Sequence, residues 1–389
     1  MKREVVVVGA GVVGVALAHT LSERDGVTVT VLDQCVQEPL GSTAFAPGFV
    51  GVYNDVPVLT RLARDSAAVY DAAGVGFRRS GGLEVATSDA GVAEIESRVE
   101  SARAKGLRAE LLGPADLPAS VTAFVDTSNV LAAGHFPDDG SADVQVLTLG
   151  LKTQAIERGA RFLPSQRVTG INPHGTGAVV TTESGDRFAA DDIVLAGGIW
   201  GPTLASLVGL DLPLFPVAHP YVYDSAATVW DDGPFVRWPE HHVYSRIHGD
   251  RLGIGSYDHR PVPVEQGELA SGAGLQWSTD FGPVIESAQR LLRPEVRFAP
   301  ESRVNGVFAM TPDNLPFLGR LTESESVWMA QAIWVTHAAG AAVMLTEAMF
   351  EGSELPGELR VSRFEGTSSD VLDERAMRLY RDIYANDSQ

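Results

Sequence analysis

The chain has 389 residues, of which 44% are hydrophobic and 21% are charged, the composition of an ordinary globular protein with room for two domains. Fifty acidic residues against thirty basic ones give a formal net charge of −20, which would repel a phosphate backbone and argues against nucleic acid as a partner. The single cysteine, Cys35, excludes a disulfide within the chain and any multi-cysteine metal site.

The first residues combine Lys2 and Arg3 with an apolar run, a pattern similar to a secretory signal. Glu4 interrupts the run, and the glycines within it have the spacing of a nucleotide-binding turn, so the nucleotide-binding interpretation is preferred. No other segment approaches the ~18 uninterrupted apolar residues of a membrane span. We therefore expect a cytoplasmic protein without a membrane partner. We also expect no metal site, because "EHH" at 240–242 lacks the helical i, i+4 spacing of a zinc motif.

The N-terminal segment has the pattern of a dinucleotide-binding βαβ unit. Residues 4–9 predict a buried parallel strand, the turn "GAGVVG" follows, and residues 12–23 predict a helix. In this motif the glycines allow a tight turn, a close approach of the backbone to a pyrophosphate, and close packing of helix and strand. The next strand, "VTVTVLD", ends at Asp33, where a carboxylate should accept the ribose hydroxyls. Such an acid suits FAD and NAD equally, so both remain open at this point.

A second glycine-rich turn lies far along the chain. The sequence "DDIVLAGGIWG" (191–201) predicts a strand, a turn and a helix that starts near Gly201, and the alternating residues 167–191 before it predict a β-meander. Near the C-terminus, "SVWMAQAIW" predicts a strand, and "VTHAAGAAVMLTEAMF" predicts a helix with small residues in its first turn. Such a helix start could face the negative charge of a reduced flavin ring, or the helix could simply be tightly packed in the core. This order of segments is typical of flavoproteins with two dinucleotide motifs.

The predicted fold class is α/β (α+β), with a discontinuous Rossmann-like FAD-binding domain and a second, largely antiparallel β substrate domain. The substrate domain is indicated by the strand "GGLEVATS" and by a hairpin that turns at His248-Gly249-Asp250. The predicted boundaries are 1–50, 143–212 and 302–365 for the FAD-binding domain, 51–142 and 213–301 for the substrate-binding domain, and 366–389 for a C-terminal linker-like helix and tail.

Eight segments of the chain occur in an order that is found in one group of flavoproteins. They are "GAGVVG", "GSTAFAPG", "GGLEVATS", "LAGGIWG", "PVAHPY", "VYSRIHGDRLGIGSYDHRPVPV", "FAMTPDNLPFLG" and "AIWVTHAAGAA". Together they resemble the D-amino-acid-oxidase-like FAD oxidoreductases, and in detail the flavin half of dimethylglycine oxidase and its relatives, sarcosine dehydrogenase and dimethylglycine dehydrogenase. The resemblance covers nearly the whole chain. It implies FAD as the cofactor and a small-molecule amine, secondary or tertiary, as the substrate.

The resemblance also implies which residues contact FAD. The stretch "LGSTAFAPGFVG" (40–51) would pass over the flavin and its pyrophosphate. In dimethylglycine oxidase and its relatives the residue that matches Phe45 is a histidine joined covalently to the flavin. A phenyl ring has no nucleophilic nitrogen, so we expect non-covalent FAD. The expected cofactor-binding residues are Gly9, Gly11, Val12, Val13, Gly14, Asp33, Gln34, Gly41, Ser42, Thr43, Phe45, Ala46, Pro47, Gly48, Val168, Ala196, Gly197, Gly198, Trp200, His337, Ala338 and Gly340.

Within the resemblance, His219 of "PVAHPY" and Tyr244 of "HVYSR" match the histidine and tyrosine that orient the substrate and handle protons, and we expect them to be catalytic. A purely structural role for His219 is the alternative. The arginine and lysine that bind a substrate carboxylate in small sarcosine oxidases have no match, so a bulkier or uncharged amine stays open. The residues expected on the substrate side are Tyr257, His259, Thr336 and His337, with Arg246 as a substitute anchor or, alternatively, an exposed strand arginine.

The expected reaction is oxidative N-demethylation of a small N-methylated amino acid or amine, sarcosine-like or dimethylglycine-like, that gives the demethylated amine and formaldehyde. The lysine that promotes oxygen reactivity is missing near Gly255 and Ser256, so O2 and a separate electron acceptor both remain open. The relatives continue into a tetrahydrofolate-binding half, so a separate folate-binding partner chain is a further expectation. The alternatives are an FAD-dependent oxidase or dehydrogenase of a primary or cyclic amine or amino acid, and a flavin subunit of a hetero-oligomeric complex.

Overall fold

The computed structural model describes residues 2–35, 40–225, 230–321 and 324–383. Within these ranges the strands are β1 (Arg3–Val8), β2 (Val27–Leu32), β3 (Phe49–Val50), β4 (Phe77–Arg78), β5 (Gly82–Ala86), β6 (Glu110–Leu112), β7 (Ala132–Phe136), β8 (Gly140–Ala142), β9 (Arg161–Leu163), β10 (Val168–His174), β11 (Gly177–Thr182), β12 (Arg187–Ala190), β13 (Asp192–Leu195), β14 (Phe215–Tyr223), β15 (Phe235–Trp238), β16 (Val243–His248), β17 (Arg251–Ser256), β18 (Val262–Pro263), β19 (Ser302–Met310), β20 (Phe317–Arg320) and β21 (Val327–Gln331). The helices are α1 (Val12–Ser22), α2 (Pro57–Ala73), α3 (Asp89–Ala104), α4 (Ala119–Thr122), α5 (Val144–Glu157), α6 (Gly201–Ser206), α7 (Phe281–Ala288), α8 (Ala338–Glu351) and α9 (Ser369–Arg381).

A six-stranded sheet forms the nucleotide-binding half, with the strand order β20-β21-β13-β1-β2-β9. All neighbours pair in parallel except β20, which is antiparallel to β21. The uninterrupted valines of β1 are buried because both faces of the sheet are covered. Val5 and Val7 pack in a cluster with α1 and α8, whereas Val6 and Val8 pack in a cluster with the antiparallel meander β10-β11-β12.

A nine-stranded mixed sheet forms the other half, in the order β18-β14-β17-β16-β15-β5-β7-β6, with β19 paired to β14. The parallel pairing of β15 with β5 joins residues from the two predicted substrate-domain segments in one sheet. The hairpin β16-β17 turns at Gly249, whose φ of +68° suits glycine. The predicted fold class, a parallel nucleotide-binding sheet beside a largely antiparallel one, is confirmed. The exact domain boundaries stay predictions.

Helix α9, in the predicted linker-like segment 366–389, is packed against the protein. Its buried residues recur at helical spacing and form an apolar stripe toward β19: Leu372, Ala376, Leu379 and Tyr380. Residues 384–389 of the predicted tail lie outside the described residues. In the described part of the chain, no helix combines the length and the apolar character that crossing a membrane requires.

Candidate functional site

A large cavity of about 690 Å³ lies between the two halves of the protein. One end is lined by the turn after β1, the residues after β2 and the loop 40–51, and the other end is lined by strands of the nine-stranded sheet. The turn after β13 and the residues that precede α8 complete the lining. The volume is in the range of pockets that enclose a small-molecule ligand or cofactor.

The nucleotide end of the cavity is formed by the glycine turn that leads into α1. Gly9 has a φ of +112°, and a Cβ atom there would also collide with the carbonyl group of Ala196. Gly11, the N-cap of α1, has no side chain that could cap the helix, and the first residues of the helix, Val12 and Val13, border the cavity. Thr43 of the loop ties the two segments together, because its Oγ1 accepts the Val12 N–H at 3.0 Å. This is an anion-binding helix start with a loop lying across it.

Asp33 lies at the end of β2 and lines the same part of the cavity. Its Oδ2 accepts the Ala10 N–H at 2.6 Å, and its Oδ1 accepts the Cys35 N–H at 2.8 Å. Burial raises the pKa of Asp33, and the backbone hydrogen bonds counteract part of that rise. Each carboxylate oxygen has a second acceptor position, so the group can also accept ribose hydroxyls.

The loop 40–51 is held over the cavity by hydrogen bonds from three separate strands and turns. Ser42 Oγ donates to the Val307 carbonyl at 2.7 Å, and Thr336 Oγ1 donates to the Phe49 carbonyl at 2.9 Å. Arg246 Nη1 donates to the Pro47 carbonyl at 2.6 Å. The side chain of Phe45 borders the cavity within this loop. The loop therefore borders the cavity, and its contact with a flavin stays a prediction.

Most of the expected cofactor-binding residues border the cavity. They are Gly9, Gly11, Val12, Val13, Asp33, Gln34, Gly41, Ser42, Thr43, Phe45, Ala46, Pro47, Gly48, Val168, Ala196, Gly197, Gly198, Trp200 and His337. Gly14, Ala338 and Gly340 are not part of the lining. Gly14 lies where a Cβ atom would collide with the Gly9 carbonyl, Ala338 is buried in the core, and Gly340 lies against the Leu62 carbonyl of α2. These three small residues are explained by close packing.

Among the aromatic residues that line the cavity, six form a continuous series of neighbouring rings that we call the aromatic wall: Phe49, Phe235, Tyr244, Tyr257, Phe308 and Trp334. In this order, consecutive ring centroids are 4.6, 5.7, 5.6, 5.7 and 5.6 Å apart. The faces of aromatic rings attract cations, and quaternary and methylated ammonium groups are bound by such rings in other proteins. The wall offers both apolar surface and cation–π attraction to an alkylated amine.

His219 and Tyr244 lie side by side at this wall, as the sequence predicted. Tyr244 Oη is 2.7 Å from His219 Nε2, and both residues border the cavity. Burial lowers the pKa of His219 well below its usual value, and the neighbouring His259 lowers it further. The imidazole is therefore neutral at pH 7. The residue on its other side, Tyr380, was missed by the sequence analysis: its Oη lies 2.7 Å from His219 Nδ1.

The other expected substrate-side residues divide into two groups. Tyr257, Thr336 and His337 border the cavity. Burial lowers the pKa of His337 to about 4, so its imidazole, which precedes α8, is neutral at pH 7. His259 is buried behind His219 and outside the cavity lining, with its Nε2 2.9 Å from Tyr380 Oη. The structure thus brings His259 to the far side of Tyr380.

Arg246 is not brought to the cavity, and it is not exposed on its strand either. Its side chain is buried beneath the loop, and Nη1 also donates to the Ala142 carbonyl at 2.9 Å. With its Nε bond to the Ile247 carbonyl at 3.2 Å, the guanidinium donates to three main-chain carbonyls, so it holds the backbone and is badly placed to anchor a substrate. Arg246 is therefore neither part of the cavity lining nor exposed on its strand.

Arg237 is a cavity-lining cation that the sequence analysis missed. It is two residues from Phe235 on β15, hence on the same face of the strand. Its guanidinium lies 4.3 Å from the ring centroid of Phe49, and Nη2 is 2.5 Å from Oε1 of Glu84. Glu84 also pairs with Arg98 at 3.0 Å. A charged network thus borders the aromatic wall.

No group of three or more histidine, cysteine, aspartate or glutamate side chains is arranged to hold a metal ion among the described residues. The helix start at Gly11, the buried Asp33 and the small residues of the loop are the features that a dinucleotide requires. The donor set therefore fits a dinucleotide and offers no comparable fit for a metal.

Comparison with known proteins gives a consistent family assignment for these features. Residues 4–348 match the family model described as "DAO: FAD dependent oxidoreductase". The chain is 26% identical over 377 residues to the mitochondrial dimethylglycine dehydrogenase of Mus musculus, which covers 90% of this chain and 43% of that protein. It is 27% identical over 386 residues to the 4-methylaminobutanoate oxidase (formaldehyde-forming) of Paenarthrobacter nicotinovorans, with 93% of this chain and 45% of that protein covered. The chain thus spans less than half the length of these relatives.

Solved structures share the fold. The L-proline dehydrogenase from P. horikoshii superimposes with a TM-score of 0.83 at 23% identity, covering 94% of this chain and 98% of that one. The glycine oxidase from Geobacillus kaustophilus superimposes with a TM-score of 0.76 at 22% identity, covering 94% of this chain and 100% of that one.

Proposed function

The chain belongs to the DAO family of FAD-dependent oxidoreductases, and from this premise we propose that it oxidises a secondary or tertiary amine by N-demethylation of a small N-methylated amino acid or amine. One observation supports the proposal. The glycine turn before α1, Asp33 and the loop 40–51, which together we call the dinucleotide cradle, border the same cavity as the aromatic wall and the His219–Tyr244 pair. A cofactor in the cradle and an amine at the wall would share one enclosed space.

The cradle residues divide the work of holding FAD. The start of α1 would face the pyrophosphate, Asp33 would accept the ribose hydroxyls, and the loop 40–51 would cover the ring system. When bound, FAD supplies a two-electron acceptor for the C–H bond next to the amine nitrogen. Phe45 offers no nucleophile, so the protein holds the cofactor by non-covalent contacts alone.

The aromatic wall positions the amine. An alkylated ammonium ion is attracted to the ring faces, and its methyl groups bury apolar surface against them. Tyr244 belongs both to the wall and to the pair with His219, so a bound amine lies next to a group that can handle its proton. Positioning of this kind is a large part of catalysis when one bond has to be aligned.

The His219–Tyr244 pair sets the protonation state of the amine. Oxidation requires an amine with an available lone pair, whereas such amines are mostly protonated in neutral water. His219 is neutral at pH 7 because burial lowers its pKa, so it can receive a proton through Tyr244. Loss of a hydride from an N-methyl group then leaves an iminium ion, and water converts it to the demethylated amine and formaldehyde.

Two kinds of relative support an N-methylated substrate by the reactions in their names. They are dimethylglycine dehydrogenase and the formaldehyde-forming 4-methylaminobutanoate oxidase. The proteins named as L-proline dehydrogenase and glycine oxidase resemble this chain at less than 25% identity and support the fold alone. The electron acceptor in our proposal is O2 or a separate acceptor, and a separate folate-binding chain is the proposed recipient of any one-carbon unit that is not released.

The proposal is tested by adding a panel of secondary and tertiary amines to the FAD-loaded protein without oxygen and following the flavin absorbance. We expect N-methylated amines to bleach it. The variants His219→Gln and Tyr244→Phe should bleach ~10²–10⁴-fold more slowly, because each removes a positioned proton acceptor or donor. The matched control is His174→Gln, an exposed histidine of the meander. If no N-methylated amine bleaches the flavin, or if both variants react at the parent rate, the proposal fails.

A further inference from the structure

We infer that Tyr380 and His259 extend the His219–Tyr244 pair into a four-residue proton relay that carries the proton of the amine out of the cavity. The direction of the relay's hydrogen bonds follows from the geometry alone. Its use in catalysis rests on the proposed amine oxidation. Tyr380 and His259 do not border the cavity, so they act through His219 as positioning and proton-accepting residues.

The relay is a continuous chain of short contacts. Tyr244 Oη is 2.7 Å from His219 Nε2, and His219 Nδ1 is 2.7 Å from Tyr380 Oη. Tyr380 Oη is 2.9 Å from Nε2 of His259, whose Nδ1 is 2.8 Å from the carbonyl oxygen of Arg260. All four side chains are buried. The relay links Tyr244, which borders the cavity, to His259, which does not.

The carbonyl of Arg260 fixes the direction of every hydrogen bond in the relay. A carbonyl only accepts, so His259 carries its proton on Nδ1, and its Nε2 in the neutral ring is an acceptor. Tyr380 therefore donates its O–H to His259 and accepts the Nδ1–H of His219. The bare Nε2 of His219 in turn accepts the O–H of Tyr244. Both histidines are thus Nδ1–H tautomers at rest.

One competing acceptor lies near Tyr380, the Ala218 carbonyl at 3.1 Å. If Tyr380 donated to Ala218, its oxygen lone pairs would face the bare Nε2 of His259 at 2.9 Å with no proton between them. That arrangement is repulsive, and the shorter contact to His259 is the one that needs the proton. Ala218 therefore does not reverse the relay.

This polarity allows one proton to leave the amine without any change in the number of protons on the intermediate groups. The ammonium N–H gives its proton to Tyr244 Oη while the Tyr244 proton moves to His219 Nε2. The His219 Nδ1 proton moves to Tyr380, and the Tyr380 proton moves to His259 Nε2. The amine becomes neutral, His259 becomes an imidazolium, and His219 changes tautomer. No electrons are transferred.

The surroundings of the two histidines favour His259 as the resting place of the charge. The groups against His219 are the rings of Tyr244, Tyr257, Phe308 and Tyr380 and the imidazole of His259, none of which is a carboxylate. His259 contacts the Phe281 ring, Tyr380 and the Arg260 carbonyl, and it lies near Asp258 and Asp280. Burial lowers its pKa, whereas the Arg260 carbonyl and the two aspartates oppose that shift.

The polarity is tested on the FAD-loaded protein by ¹⁵N NMR of labelled histidines, which distinguishes a protonated ring nitrogen from a bare one. His219 signals are assigned by their loss in His219→Gln. We expect the Nδ1–H tautomer for His219, and we expect it to be lost in Tyr380→Phe, because Nδ1 then loses its acceptor. It should survive in His259→Gln, because an amide oxygen can still accept the Tyr380 O–H. An Nε2–H tautomer of His219 in the parent protein overturns the inference, whatever the activity.

The transfer itself is tested by the pH dependence of flavin reduction without oxygen, using an amine that bleaches the parent protein. Without Tyr380 or His259, the amine proton can go no further than His219, which has no carboxylate against it. Tyr380→Phe, His259→Leu and His259→Gln should therefore react at least ~10-fold more slowly near pH 7 and approach the parent rate where the amine is already neutral. The control Tyr70→Phe removes another buried hydroxyl, which bonds the Val335 carbonyl at 2.7 Å, and should leave the midpoint of the profile in place.

The outcomes separate the relay from the proposed function. An unchanged profile in His259→Gln means that the proton stops at His219, and it overturns the relay while amine oxidation stands. A loss of equal size at every pH in the three variants shows a structural role only and also overturns it. If no amine bleaches the flavin, the proposed function fails, and the NMR result still decides the direction of the hydrogen bonds.

Discussion

Arg246 donates a hydrogen bond of 2.6 Å from Nη1 to the carbonyl oxygen of Pro47. The same strand, β16, carries Tyr244, the tyrosine that we propose to handle the proton of the amine. One strand therefore supplies this tyrosine and also holds the loop 40–51 of the dinucleotide cradle. Buried guanidinium–carbonyl hydrogen bonds of this kind are among the stronger ones in proteins. The position of the loop and the position of Tyr244 are therefore coupled through a single strand.

Replacing this clamp should weaken cofactor binding. In Arg246→Met the carbonyls of Pro47 and Ala142 lose a charged donor, which costs roughly 1.5–3 kcal/mol. If this free energy is lost from the loop in its FAD-binding position, the dissociation constant of FAD rises about 10–100-fold, as measured by flavin fluorescence on dilution. Arg103→Met is the control, because Arg103 donates to the Ala109 carbonyl at 2.7 Å away from the cavity. Equal FAD affinity in the parent and in Arg246→Met would show that the loop does not depend on the clamp.

Phe45 predicts that the flavin is released by denaturation. The side chain borders the cavity within the loop 40–51, and its phenyl ring cannot form a bond to the flavin. Precipitation of the FAD-loaded protein with acid should therefore leave a colourless pellet and a yellow supernatant. A pellet that keeps its yellow colour after washing would mean that another residue forms a covalent link.

Asp139 should make stability fall as the pH rises. Burial raises its pKa to about 7 from the ordinary value of 3.8, and its Oδ1 accepts the Val52 N–H at 2.6 Å. Between these values the folded protein keeps a proton that the unfolded chain has lost, so the free energy of unfolding decreases with rising pH, by at most about 1.4 kcal/mol per unit.

Asp139→Asn keeps an acceptor for Val52 and removes this titration. The stability of the variant relative to the parent should therefore grow from about pH 4 to about pH 7, as measured by urea unfolding at saturating FAD. The parent protein at each pH is the internal reference. A difference that stays constant across this range would show that Asp139 is ionised throughout it.

Arg237 is the group that we expect to meet a substrate carboxylate. Its guanidinium lies against Phe49 at one end of the aromatic wall, and a guanidinium has enough N–H donors to bind two carboxylates at once. In Arg237→Met the KM for a carboxylate-bearing amine such as sarcosine should rise at least ~10-fold, about the effect of one charged hydrogen bond. The KM for an N-methyl alkylamine should change little. For the carboxylate-bearing amine, the KM of Arg237→Lys, which keeps the charge, should lie between the KM of the parent protein and that of Arg237→Met. Equal effects on both amines would indicate a structural role.

The sequence predicted those parts of the molecule that depend on local pattern. The valines of β1, the glycine turn and Asp33 form a motif with its own geometry, so their place in the sheet and at the cavity could be predicted. His219 and Tyr244 were predicted through the resemblance, and the structure places them 2.7 Å apart.

The remaining features depend on tertiary contacts that no local pattern contains. Tyr380 meets His219 across 161 positions of sequence. The apolar stripe of α9 indicates a packed helix and does not indicate what the helix packs against. Arg246 and Arg237 are both strand arginines, and the strand alone does not tell which one borders the cavity. A glycine is needed at position 340 because α2 approaches it closely. That contact could be predicted only if the packing of α2 against α8 were already known.

The most direct test of the account is the yield of formaldehyde per amine oxidised. The FAD-loaded protein is incubated with an N-methylated amine that bleaches the flavin, aldehydes are trapped, and the demethylated amine is quantified. We predict one formaldehyde for each amine consumed, in the parent protein and in Tyr244→Phe alike, although the variant forms both products more slowly. A 2-oxo acid or a cyclic imine without formaldehyde would contradict N-demethylation, because the hydride would then come from the carbon skeleton of the substrate.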